Sequence, residues 1–366
     1  MNKRFHPVRF PRDHQAHDTI IEWWYFNGHV KDKKGKRYGF MDCLFKVDVR
    51  RVNVSFLNKL PFKGFIPSWP YVYFSHSVVS DVSRQKNEKS VQNISLVSRD
   101  SFLRERLFVN YIDPLIFRGY VNSEIAETDQ SRFHVKGDLL DLDLVSRKKP
   151  LLVGGKGLVT VASGKSTYYY SLTDLRAQGS LMIGGKRMEV EGGAWMDHQW
   201  ADTPYSKDAW TWFGIRLDNG ADIMCVEYDD RASKTSCADI IDKRGRAVHG
   251  RRVAFTPGTD TWKSAKTKAE YPLSWIIDIP EERISIKVRS LMTDQEMIYG
   301  AINYWEGPVD VEGVMGRKKV KGEGYMELVG YPSDYNYLIL AGKELNAKLR
   351  GMISARLHGK LVARSS

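Results

Sequence analysis

A short aromatic and glycine pattern occurs twice in this chain, and it constrains the fold more than any other feature. Trp23-x-x-Phe26-x-x-x-Val30 recurs as Trp210-x-x-Phe213-x-x-x-Leu217, 187 residues on. Val190-x-Gly192-x-Ala194-Trp195-Met196-Asp197 recurs as Val320-x-Gly322-x-Gly324-Tyr325-Met326-Glu327, 130 residues on. The two pairs keep the same order, which describes a duplicated unit whose first copy carries about 57 residues of additional loop and strand. Within each copy the dominant period is two. In ISIKVRS (284–290) Ile284, Ile286 and Val288 share one face, with Ser285, Lys287 and Arg289 on the other. Runs at 71–82, 158–172 and 222–228 are short and rich in β-branched or aromatic residues, and turn clusters such as KDKKGK and LDNG separate such runs. The expectation is an all-β chain of two tandem units, residues 1–203 and 204–366, joined near residue 200.

Composition removes several classes. A hydrophobic fraction of 42% supports a packed core, which excludes disorder as the main state. No run reaches the roughly 18 apolar residues of a membrane span. The N-terminal residues lack an apolar stretch after their basic ones, so a cytoplasmic protein is expected, with membrane association through the C-terminal segment as its variant. Cys43, Cys225 and Cys237 form no C-x-x-C pair, which argues against a disulfide framework or a zinc site. Of the net charge of +12, five units fall in the last 25 residues: residues 342–366 carry six basic side chains against Glu344 alone. With no helix-turn-helix or RNP-like pattern, nucleic acid is not an expected partner. Segment 343–358 has Leu345, Leu349, Met352, Ile353 and Leu357 at helical spacing. A helix packed against a barrel is favoured there over one docked on an anionic membrane.

Three segments carry chemistry-bearing residues. GKST (164–167) ends like a phosphate-binding loop, but the earlier glycine that loop needs is replaced by Val159, so nucleotide binding is set aside. Asp13-His14-x-x-His17 leads into Glu22-Trp23-Trp24-Tyr25. Two imidazoles beside carboxylates suit a metal, yet structural histidine is commoner, and no metal is expected. The densest constellation is Gly192-Gly193-Ala194-Trp195-Met196-Asp197-His198-Gln199-Trp200. On a strand Trp195, Asp197 and Gln199 share one face, and Met196, His198 and Trp200 the other. A carboxyl among indoles is desolvated and keeps its proton, which makes Asp197 a candidate general acid; a buried structural tie is the competing reading.

DHQAH…EWWYFNGHV, YFSHSVVSD, YYYSLTDLRAQGSL, GGAWMDHQW and GEGYMELVGY, in this order, resemble the AttH/carotenoid 1,2-hydratase (hydroxyneurosporene synthase) family from about Pro11 to Tyr331. The resemblance implies two lipocalin-like β-barrels in tandem, and a cofactor-independent hydratase or cyclisation catalyst acting on an apolar isoprenoid substrate, the hydratase adding water to a double bond. It implies an acid in the W-x-D-H block, here Trp195-Met196-Asp197-His198, and maps YFSHSVVSD onto His76 and Asp81. The expected catalytic residues are therefore Asp197 and His198, with His198 or His76 positioning water. Trp24, Tyr25, His76, Tyr169, Trp195, Trp200 and Tyr325 are the expected substrate-binding residues. His14, His17, Glu22 and Glu327 are further candidates, and the expected partner is a hydrophobic small molecule. The alternative is a lipocalin-like carrier without catalysis, distinguished by a pocket lacking a desolvated carboxyl.

Overall fold

The computed structural model describes residues 6–48, 51, 71–97, 107–112, 123–129, 132–160, 164–203, 209–229, 233–298 and 303–331. The helix expected over 343–358 lies outside them. The first half forms β1 (Ile21–Asp32), β2 (Arg37–Asp48), β3 (Tyr71–Asp81), β4 (Lys86–Val97), β5 (Phe108–Ile112), β6 (Ser123–Asp129), β7 (Arg132–Lys136), β8 (Leu140–Ser146), β9 (Leu151–Leu152), β10 (Leu158–Thr160), β11 (Ser166–Ile183) and β12 (Lys186–Ala201). The second half forms β13 (Ala209–Leu217), β14 (Asp222–Asp229), β15 (Lys234–Ile241), β16 (Ala247–Arg251), β17 (Ala254–Pro257), β18 (Thr261–Lys263), β19 (Glu270–Pro272), β20 (Ser274–Ile279), β21 (Ile284–Ser290), β22 (Glu296–Ile298), β23 (Asn303–Met315) and β24 (Lys318–Val329).

These strands make two large antiparallel sheets and one small hairpin, β18–β19. The first runs β10-β11-β12-β1-β2-β3-β4-β5-β6-β7-β8, and β8 also pairs with β11, so the path returns on itself. The second runs β16-β15-β14-β13-β24-β23-β21-β20-β17, and among the described residues no pairing joins its two ends. Alternation places the residues as the pattern requires: β21 is buried and exposed by turns. The run at 158–172 is the exception. It breaks at Gly164, whose φ of +75° turns β10 back onto β11, so GKST is a hairpin turn entering a strand.

The duplicated pattern has a common geometric cause. In the first sheet β1 lies between β12 and β2, with Phe26 opposite Met196; in the second β13 lies between β24 and β14, with Phe213 opposite Met326. Gly192 and Gly322 sit where the neighbouring strand comes closest. A Cβ at Gly192 would lie 2.1 Å from the His29 carbonyl oxygen, and one at Gly322 2.3 Å from that of Arg216, the residue 187 positions after His29. Only glycine fits such an approach. Gly192→Ala is expected to lower stability by about 1–3 kcal/mol through backbone displacement, read as a lower denaturation midpoint; an unchanged midpoint would refute the packing argument.

Each sheet encloses an apolar core. The first holds Trp24, Phe26, Phe40, Tyr170, Met196 and Trp200, among others. The second holds Phe213, Trp275, Ile286, Trp305, Met326 and Leu328, among others. A third cluster takes side chains from both halves, including Tyr25, Cys43 and Trp195 with Trp212, Met224 and Tyr325. Polar contacts reinforce that junction: His29 Nε2 lies 2.8 Å from the Gly324 carbonyl, Arg37 pairs with Asp310 at 2.5 Å, and Lys148 pairs with Asp222 at 2.5 Å. β1 and β13, with the later parts of β12 and β24, are thus buried on both faces, by a core on one side and the opposite sheet on the other.

Candidate active site

A cleft, partly open to solvent, lies between the two sheets. Its walls come from β1, β2, β11 and β12 on one side and β13, β14, β23 and β24 on the other. Trp23, Tyr25, Phe45, Trp210, Trp212 and Tyr304 supply an aromatic lining. Three carboxyls project into it: Asp197, Glu306 and Glu327. Alternation sets this composition, because each carboxyl has core residues as its neighbours in sequence: Met196 and His198, Trp305 and Gly307, Met326 and Leu328.

Asp197 is 4% exposed and held by three donors. Ser171 Oγ (2.5 Å) and Trp195 Nε1 (2.7 Å) donate to Oδ1, and the Tyr169 hydroxyl (2.7 Å) donates to Oδ2. Trp212 Nε1 in turn donates to the Tyr169 hydroxyl at 2.9 Å, so the second sheet supports the first sheet's carboxyl. Burial pushes the Asp197 carboxyl up to about 6, against the opposing pull of Ser171, Tyr169 and Trp195. Glu327 accepts from Trp210 Nε1 at 2.9 Å and is pushed up to about 7, by burial first and by the Asp197 charge. Glu306 faces Glu327 directly in the β23–β24 ladder. Burial, then the charge of Glu327, raises it well above the ordinary carboxylate range. Such a cleft holds its protons to higher pH than free carboxyls do, Asp197 up to about pH 6 and Glu327 up to about pH 7, and can offer them to a bound molecule.

Of the residues singled out by sequence, Tyr25, Tyr169, Asp197 and Glu327 line this cleft. Trp195 reaches it through its bond to Asp197, and His76 through Nδ1, 2.7 Å from the Tyr304 hydroxyl. Tyr325 belongs to the shared cluster beside it, against the His29 ring. Asp81 is remote, paired with Lys36 and capping the turn at Arg84. The structure separates the others. His198, Trp24, Trp200, His14, His17 and Glu22 face the interior of the first sheet. Adjacent residues of a strand point to opposite faces, so His198 cannot share a reaction centre with Asp197.

Those interior residues form a second polar cluster around Glu22. Its Oε1 lies 2.7 Å from His17 Nδ1 and 2.9 Å from His198 Nε2, and its Oε2 lies 2.5 Å from Lys46 Nζ. Burial opposes ionisation of Glu22, but Lys46 and His17 outweigh it and hold the carboxyl well below its usual range. Burial lowers His198 to about 4, so it stays neutral at physiological pH. Trp24 stacks on His198 and Trp200 on His17, with ring centroids 4.8 and 4.0 Å apart. His14 Nδ1 meets the Tyr170 hydroxyl at 2.6 Å. The ligand-type atoms of His17, Glu22 and His198 lie within 4.8 Å of one another. An ionised carboxylate only accepts, so the ring nitrogens facing it carry protons and lack the lone pair a metal needs. The cluster fits a satisfied hydrogen-bond network better than a metal centre.

Sequence reasoning missed Glu306, Tyr304 and Trp212. The repeat held the signal for one of them, since an offset of 187 carries Tyr25 onto Trp212. Glu306 falls in neither repeated pattern. It is the register counterpart of Ser171: Ser171 lies opposite Asp197, and Glu306 opposite Glu327.

The model of the AttH-like family matches residues 2–331. This chain belongs to the AttH-like family. Its relatives include a dehydratase of Emericella nidulans, asqC, 26% identical over 204 residues. Kievitone hydratase of Fusarium solani subsp. phaseoli is 26% identical over 210 residues. Those matches take in 52% and 55% of this chain and 57% and 60% of the relatives, so the chain spans under two thirds of the length of the curated relatives it matches. Among solved structures, a candidate AttH of Nitrosomonas europaea is 27% identical with a TM-score of 0.70, covering 89% of this chain and 98% of its own. Kievitone hydratase of Nectria haematococca superposes with a TM-score of 0.69 at 19% identity, covering 88% of this chain and 93% of its own, a likeness of fold. The two large antiparallel sheets are thus the architecture of this AttH-like chain and its neighbours.

Proposed function

We propose that this AttH-like chain is a cofactor-independent hydro-lyase that adds water to, or removes it from, an apolar isoprenoid-like substrate bound in the cleft between the sheets. The same reading takes residues 1–203 and 204–366 as two lipocalin-like units. The observation that carries it is the placement of three desolvated carboxyls around one aromatic cleft. Relatives named as a hydratase and a dehydratase support it, because both reactions need a proton delivered to or taken from carbon or oxygen in a place where water is scarce.

Asp197 is the proposed donor. Desolvation keeps its proton on, and Ser171, Tyr169 and Trp195 stand ready to stabilise the carboxylate once the proton leaves. In the hydration direction the Asp197 proton bonds to an alkene carbon through the π pair, leaving a cation that the aromatic faces stabilise. A water oxygen then bonds to the cation and sheds a proton to the carboxylate, so one water is added and the acid is restored. Dehydration is the reverse.

Incubation with prenylated alkenes and the matching tertiary alcohols in oxygen-labelled water tests the proposal. Mass spectrometry is expected to find label in the hydroxyl product, and stoichiometric retention of unchanged ligand would instead favour a carrier. The reactive form is protonated Asp197, so the rate is expected to be high below about pH 6 and to fall as pH rises through that value. A rate that climbs through the same range would exclude Asp197 as donor. The sign for stability agrees. Asp197 holds its proton to higher pH in the folded chain than in the unfolded one, so its contribution is full below about pH 4 and is lost as pH rises through about 6.

A further inference from the structure

Glu306 and Tyr25 meet across the junction of the two sheets. Glu306 comes from β23 and Tyr25 from β1, and both line the cleft. Their residues are 2% and 7% exposed. Each perturbs the ionisation of the other by charge and by a side-chain hydrogen-bonding contact, so they face one another, yet neither Glu306 Oε1 nor the Tyr25 hydroxyl reaches a partner at full hydrogen-bond geometry. Asp197 and Glu327 are different, because both are anchored by tryptophan N–H groups. A buried carboxyl oxygen and a buried phenol left without partners each forfeit the water they would bond in solution. Two such groups converging on one cavity wall point to something that enters the cavity and bonds both.

We propose that Tyr25 and Glu306 form an oxygen subsite for a neutral hydroxyl: the water consumed in hydration, and equally the tertiary alcohol of the hydrated product. The inference rests on the hydro-lyase reading above and adds the position of the oxygen. The chemistry selects this class. A protonated carboxyl offers one donor and one acceptor, a phenol offers the same, and a hydroxyl oxygen uses both. A carboxylate ligand is disfavoured, because the cleft lining carries no basic side chain to pair with its charge. The oxygen sits where the two sheets meet and beside the donor, because Tyr25 lies directly opposite Asp197 in the β1–β12 ladder while Glu306 reaches in from the second sheet.

Terpineol, a tertiary alcohol, and menthane, a hydrocarbon of related skeleton, serve as probes. The quenching of Trp23, Trp210 and Trp212 fluorescence after rapid mixing reports their binding. The wild-type protein is expected to bind terpineol more tightly than menthane by on the order of tenfold. Tyr25→Phe and Glu306→Leu are each expected to remove most of that preference while leaving menthane affinity unchanged. Glu306→Leu is also expected to keep or raise the melting temperature, since it removes a buried carboxyl whose Oε1 is unsatisfied. Menthane binding with no preference for the alcohol overturns the subsite and leaves the apolar cleft standing, as does a preference that survives both substitutions. If neither probe quenches, the apolar-cleft reading fails and the subsite falls with it.

Discussion

Asp197→Asn is expected to lower turnover by about 10²–10⁴, the usual effect of losing a general acid, while the fold is retained. Asparagine keeps the shape of the side chain, and its oxygen still accepts from Ser171 or Trp195, but it has no proton to transfer. Ligand-induced quenching of the cleft tryptophans should therefore persist at close to wild-type affinity. If Asp197 were only a structural tie, the order would reverse. The variant would melt several degrees lower, and any activity would fall only in proportion to folded protein. The repeat places Glu327 at the position equivalent to Asp197, but the two carboxyls share one cleft, so Glu327→Gln is not a silent control. Glu327→Gln should reduce turnover less than Asp197→Asn. A larger loss for Glu327→Gln, with turnover preserved in Asp197→Asn, would transfer the donor role to Glu327.

Lys46→Met is expected to produce the largest loss of stability among single substitutions in the first sheet. Lys46 has no exposed surface, and its ammonium bonds the Glu22 carboxylate and the His17 carbonyl. Removing one partner of a fully buried pair leaves the other charge in a medium that solvates it poorly, a loss of about 3–5 kcal/mol. The melting temperature should fall by on the order of 10 °C. The double variant Lys46→Met with Glu22→Gln should recover part of that loss, because the orphaned charge is gone. Turnover per folded molecule should change little, since the Glu22 cluster faces the sheet interior. A shift of only a degree or two in Lys46→Met would mean that water reaches the cluster and solvates the charge left behind. Equal loss of activity without loss of stability would mean that the cluster, not the cleft, handles protons.

Much of the architecture was legible before any coordinates. The period of two, the β-branched runs and the turn clusters dictated strands: β21 falls where the alternation puts it, and β14 where the run of β-branched and aromatic residues does. The repeated aromatic–glycine pattern reflected one geometric demand met twice, with Gly192 and Gly322 each passing under a neighbouring backbone. Asp197 could be marked as a carboxyl in indole surroundings because Trp195 and Trp200 lie within three residues of it. These are local or periodic properties, and a chain displays them in its own order.

The direction in which the 190–200 block points was not legible, and the site depends on it. Sequence alternation separates a strand's two faces, but it names the inner face only when one is apolar and the other polar. Here Trp195, Asp197 and Gln199 alternate with Met196, His198 and Trp200, and both sets carry large rings. Both faces are buried because the second sheet covers what would otherwise be solvent-facing. That covering brings Glu306 and Glu327 within one cavity of Asp197, over a hundred residues away in the chain, and leaves His198 on the far side of the strand with Glu22. The sequence by itself determined the strands, their duplication and one candidate acid. Only the packing of sheet on sheet decided which neighbours that acid has, because desolvation and charge coupling are set by what lies across a gap, not by what lies next in the chain.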